Sequence, residues 1–193
     1  TRKDEMIGEA SLFRALTRFQ AVQIWGAYPM VDLYISEING AIFESIYPSL
    51  YPTRKPINVV YDAIIADCLV AIDKAPASTT APSSKYRASK GAANALLAKV
   101  YATKPNPDWA KVIQYSDVVI NGGYSLLPTY DHLFDNAHEG NLESIWEING
   151  QGSGTALNMW GPAVLLGNNW KKFVTPSHKL ASSLDPIRLA STI

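Results

Sequence analysis

Two stretches hold the side chains best suited to gripping a polar ligand. Asn158, Trp160, Asn168, Asn169 and Trp170 fall within TALNMWGPAVLLGNNWKK, Thr155 to Lys172. A primary amide both donates and accepts, so it can orient sugar hydroxyls, while an indole face stacks on the apolar C–H face of a pyranose. Either tryptophan would serve equally well as a core residue. Tyr34, Phe43, Tyr47 and Tyr51 lie between Asp32 and Lys55 among Pro48, Pro52 and few charges, a loop-rich stretch with no persistent period. Facing solvent, such rings form a sugar-binding surface; facing inward, they anchor a long excursion to the core.

Other reactive types are present without the spacing that chemistry needs. Pro128 to Asn141, PTYDHLFDNAHEGN, contains Asp131, His132, Asp135, His138 and Glu139, but matches no HExxH or other familiar ligand set. A solvated loop explains it, and a metal there would be calcium before zinc because most donors are oxygens. Gly150-Gln151-Gly152-Ser153-Gly154 follows an expected short strand, Ser144 to Asn149, yet lacks the Gly-Lys-Ser/Thr of a phosphate cradle. Glu143 and Glu147 could flank a cleft, though nothing marks them as an acid and base pair. With no Gly-x-Ser-x-Gly and three histidines in loops or at a helix start, the expectation is a non-enzyme with no cofactor and no metal site.

The elements that would position these residues are helices. Asp4 to Trp25 carries Met6, Ala10, Phe13 and Thr17 on one face and Leu12, Leu16 and Phe19 on another, so it is expected inside, with Arg14 a partly buried structural cation beside Glu5, Glu9 and Arg18. Gly26 and Pro29 end it. From Ile57 to Ala75, Ile57, Val60, Tyr61, Ile64, Ile65, Cys68, Leu69 and Ile72 keep the helical interval, which makes the lone Cys68 a buried packing thiol. Arg87 to Leu127 reads as two helices back to back: Ala92, Ala93, Leu96, Leu97, Val100 and Tyr101 on the first, Trp109, Val112, Ile113, Ser116, Val119 and Ile120 on the second. Asn106 is the expected cap, Pro107 the first helical position and Gly122 the left-handed stop. Ala98, Tyr101 and Ala110 sit at the small, aromatic and small positions of a tetratricopeptide repeat, although Asn94 stands where that repeat favours Trp. A last helix is expected with Thr175 as cap, Pro176 in first position and Leu180 and Leu184 on one face. The core helices are therefore placed at about 4–25, 57–75, 89–103 and 107–121, with a loop-rich ligand side at about 128–174. The fold class is mainly α: about four to six helices in tetratricopeptide-like hairpins, with irregular loops and one or two short strands.

Several of these segments, in order, resemble the SusD/RagB family. Phe13-Arg14-Ala15 and Trp25-Gly26-Ala27-Tyr28-Pro29-Met30-Val31 are similar to its FLRA and GG-x-P-L-V segment, and Tyr61-Asp62-Ala63-Ile64-Ile65-Ala66-Asp67 to its Y-x-x-I-x-x-D helix. Arg87-Ala88-Ser89-Lys90-Gly91-Ala92-Ala93 with Ala95 to Tyr101, Asp108-Trp109, Val118 to Asn121 and Gly123 to Leu127 resembles its central signature. Glu143 to Ile148 is similar to its SEIIFEI strand, and Asp185 to Ile193 to its D-P-R-L-x-x-T-I segment, interrupted here by Ile187. The resemblance implies a cell-surface lipoprotein of Bacteroidota that binds oligosaccharide or polysaccharide and delivers it to a TonB-dependent, SusC-like transporter. It also implies a single unit over 1–193 that is the central part of a longer chain, attached to the outer membrane only through a lipid anchor outside this sequence. A tetratricopeptide-like scaffold that binds protein and has no sugar site is the competing expectation.

Composition agrees with either. The 193 residues are 47% hydrophobic, enough for a core, and seventeen basic residues balance seventeen acidic ones, which gives no cause to expect nucleic acid as a partner. No apolar run is long enough to cross a bilayer.

Overall fold

The computed structural model describes residues 1–31, 39–40, 42–78, 85–133, 136–148 and 177–186. Among these residues the α-helices are α1 (Arg2–Trp25), α2 (Phe43–Leu50), α3 (Ile57–Lys74), α4 (Lys90–Thr103), α5 (Trp109–Ile120) and α6 (His178–Ser183). Helix α4 sits at the centre because it is apolar or small nearly all round: Gly91, Ala92, Ala93, Asn94, Leu96, Leu97, Ala98 and Val100 are all buried. The one polar side chain among them, Asn94, donates to the Lys90 carbonyl at 2.7 Å, which satisfies part of a buried amide within the helix's own first turn.

Against α4 packs α3, and against α3 packs α1. Both pairs run antiparallel: Tyr61 near the start of α3 donates to the Thr103 carbonyl at the end of α4, and Asp4 at the start of α1 meets Lys74 at the end of α3. Leu12, Ala15, Phe19, Val22, Val60, Ile64, Cys68, Ala71, Leu97 and Val100 form one continuous core. Only one face of α1 is buried, however. Met6 and Phe13 are exposed, contrary to a helix apolar on two sides and buried on both, because among the described residues that face meets little besides Trp146, which approaches the Phe13 ring edge-on at 5.1 Å. The α1–α3 approach is close enough that a Cβ on Gly8 would collide with the Ala75 and Lys74 backbone.

Helix α5 closes the second hairpin, with Tyr101 and Tyr115 stacked at 5.8 Å between it and α4. Its ends differ from expectation. Asp108, not Asn106, caps it by accepting from the Lys111 amide at 3.1 Å, and Asn106 takes φ 58° in the turn. Gly123 at φ 87°, one residue beyond Gly122, is the left-handed position. The stripe divides too: Val112, Tyr115 and Val119 turn towards α4, whereas Trp109, Ile113 and Ile120 face solvent, as does Ala110. Residues 141–148 run without a ladder, so the expected strand from Ser144 is absent among the described residues, where the only pairing is an isolated bridge, Pro29 with Arg54. Ser177 accepts from the Leu180 amide at the start of α6; Thr175 and Pro176 lie outside the described residues.

Candidate functional site

The stretch read as a loop from Asp32 to Lys55 contains a helix. In α2, Phe43 and Tyr47 stand one turn apart with Tyr51 one turn further on at its C-cap, so the three rings share one side. Ring centroids are 5.5 Å apart for Phe43–Tyr47 and 4.9 Å for Tyr47–Tyr51, contacts that favour helix despite the amide lost at Pro48. Asn39 starts the turn, its side-chain oxygen accepting from the Ile42 amide and its carbonyl from the Phe43 amide. No residue of α2 is buried, and the rings are 40%, 49% and 69% exposed in chain order.

This helix stands off the bundle and is tied to it by one extended contact. The Lys55 amide donates to the Tyr28 carbonyl at 3.0 Å, and Arg54 pairs with Pro29, just before Met30, which is part of the core. Between the two segments lies an open cleft of about 670 Å³, lined by Met30, Val31, Pro48, Tyr51, Thr53 and Lys55 among others. Tyr51, Thr53 and Lys55 all line it. An aromatic face, a hydroxyl, apolar walls and an ammonium thus converge on one opening, a combination able to hold an amphipathic ligand such as a sugar chain.

Of the residues singled out in the sequence, Phe43, Tyr47 and Tyr51 are therefore brought together at the surface, and the anchoring alternative does not apply to them. Tyr34, Asn158, Trp160, Asn168, Asn169 and Trp170 lie outside the described residues. Met30, Val31, Thr53 and Lys55 were not anticipated, because no motif or period marks them in the sequence.

The other polar candidates have structural work. Asp67 is 4% exposed and receives Arg14 through two hydrogen bonds, 2.9 and 2.6 Å, and Arg18 at 2.8 Å. Arg14 is structural as expected, but its partner is Asp67; Glu5 and Glu9 pair with Arg87 instead. Glu143 accepts from the Leu127 amide and Glu147 from the Gly140 amide, so the two carboxylates brace the chain. Lys85, 1% exposed, donates to the Ser144 carbonyl at 2.6 Å and lies over the Tyr124 ring, while its own carbonyl accepts from Glu147. Burial pushes its pKa down, partly offset by the Glu147 charge. His132 and His138 stack at 3.8 Å, and no group of three metal-binding side chains occurs among the described residues.

Known proteins place this arrangement. Residues 1–102 match the SusD-like family model described as "starch-binding associating with outer membrane". The chain belongs to the SusD-like family. It is 32% identical over 156 residues to a SusD-like protein of Bacteroides ovatus, covering 74% of this chain and 26% of that one. A SusD-like crystal structure from Bacteroides fragilis superposes with TM-score 0.62 at 27% identity, covering 77% of this chain and 28% of that one. Another solved structure, a complex with xylogluco-oligosaccharide, gives TM-score 0.59 at 28% identity over 75% of this chain and 29% of that one. This SusD-like chain thus spans about a quarter of the length of the curated relative it matches.

Proposed function

We propose that the protein to which this SusD-like chain contributes is a cell-surface, non-catalytic glycan-binding protein that captures oligosaccharide and delivers it to a TonB-dependent, SusC-like transporter in the outer membrane. The observation that carries the binding step is the exposed row Phe43, Tyr47 and Tyr51 beside the Met30–Lys55 cleft. Stacking on open rings gains modest energy per sugar, so recognition comes from several rings engaging one chain. Asn158, Trp160, Asn168, Asn169 and Trp170 add a second set of stacking and amide groups to the same task. The family match and the xylogluco-oligosaccharide complex of a relative support the ligand class.

The test is affinity gel electrophoresis of the full-length protein, with thermal melting alongside. Tyr47→Ala with Tyr51→Ala is expected to remove retardation by the preferred polysaccharide and leave the melting temperature within about 2 °C, since neither ring is buried. Unchanged retardation would sink the assignment of the site. A second reading, a protein-binding scaffold, draws on the exposed apolar stripe Trp109, Ile113 and Ile120 of α5.

A further inference from the structure

The cleft beside the aromatic row carries a charge that a neutral sugar would not need. Among the described residues of its lining Lys55 is the one cation; the others are apolar, aromatic or hydroxyl-bearing, with no carboxylate. Among the described residues no ion pair or side-chain hydrogen bond engages the Lys55 ammonium, as for Lys3, Lys99 and Lys179, whereas Lys74, Lys85, Lys90, Lys104 and Lys111 all have one. The Lys55 backbone is fixed by its bond to Tyr28 and by the Pro29–Arg54 bridge, so the ammonium is presented from a set position and not from a free loop. It lies four residues beyond Tyr51, at most about 14 Å along the chain. That reach exceeds one sugar residue and its linkage, so the two side chains address different residues of one glycan.

Building on the glycan reading above, we infer that this cleft takes a glycan bearing an acidic sugar, with Tyr51 stacking on one ring and the Lys55 ammonium meeting the anionic group of another sugar of the same chain. Ser49 and Thr53, also in the lining, supply hydroxyls for the ring substituents. A charge-assisted bond of this kind discriminates more than stacking does, because every sugar has an apolar face but few carry an anion.

The full-length protein is run in affinity gels containing a carboxylated polymer (pectate), its fully methyl-esterified neutral counterpart, a sulfated galactan, and neutral xyloglucan and starch. Retardation by pectate or the sulfated galactan and not by the neutral polymers is expected, and the stronger of the two identifies carboxylate or sulfate as the anion. Lys55→Gln should weaken that binding by about tenfold at low ionic strength, Lys55→Arg should largely retain it, and added salt should weaken the parent protein more than the Gln variant. Retardation by a neutral polymer, lost in Tyr51→Ala but unchanged in Lys55→Gln, would overturn the acidic-sugar inference and leave the glycan site standing. No retardation by any polymer would remove both.

Discussion

Asp67 holds two guanidinium groups where the sequence shows only an isolated carboxylate on an apolar helix. Its side chain is 6% exposed, as against 13% for Arg18 and 60% for Arg14. Removing the carboxylate takes a shared partner from two arginines, one of them nearly buried, so Asp67→Ala should cost about 3 kcal/mol in denaturant unfolding. Arg14→Ala, which removes a group mostly in water, should cost under about 1 kcal/mol. Next to Asp67, burial pushes the Cys68 thiol up to about 12, with the neighbouring carboxylate adding to the effect. In the unfolded chain the thiol ionises near its ordinary value of 9.0. Below that pH its contribution to stability is complete; as pH rises towards 12 the unfolded state sheds the proton first and the contribution is lost. The stability gap between the parent and Cys68→Ala should therefore shrink across that window, and thiol reagents at neutral pH should react only at the rate of unfolding. That Cys68 is buried was legible from helical spacing. Its neighbour's partners were not, because Arg14 and Asp67 are 53 residues apart and no local pattern links them.

At the scale of elements, helix spacing was readable wherever one face alone is apolar and the run is long, as in α3, and wherever small residues fill a whole helix, as in α4. It failed in α2 for a definable reason. Pro48 and Pro52 suggested a loop, while the spacing of Phe43, Tyr47 and Tyr51 already held a helical interval of four. In α5 periodicity identified the apolar positions but could not divide them between a packed and an open face, a division that depends on which neighbour arrives. Close approach of helices offers a sharper test. At Gly8 an added Cβ meets the Ala75 backbone, which cannot rotate away, whereas at Gly91 it meets the ends of the Tyr124 and Ser78 side chains, which can. Gly8→Ala should thus lower stability by about 2–3 kcal/mol and Gly91→Ala by less, with both measured by thermal unfolding.

For the whole molecule, the family was legible from ordered segments spread along the chain. The aromatic and amide residues near Trp160, read from local composition, lie outside the described residues, and the candidate site among the described residues is the other aromatic group, on α2. Net charge is zero and the sequence pI is about 6.8, while Trp109, Ile113 and Ile120 present an apolar stripe 61–69% exposed. Those two properties together favour association. The isolated 193-residue chain should elute as larger species near pH 7 than near pH 9 in size-exclusion chromatography with light scattering, and Ile113→Lys should shift it towards monomer. Elution independent of both would show that the stripe does not govern its assembly.

The attachment of α2 has an engineering corollary. Because no residue of α2 is buried and its flanks adjoin at Tyr28 and Lys55, it is held as a cartridge in a fixed socket. Exchanging residues 42–53 for the corresponding stretch of another relative would change the exposed aromatic surface without rebuilding the frame.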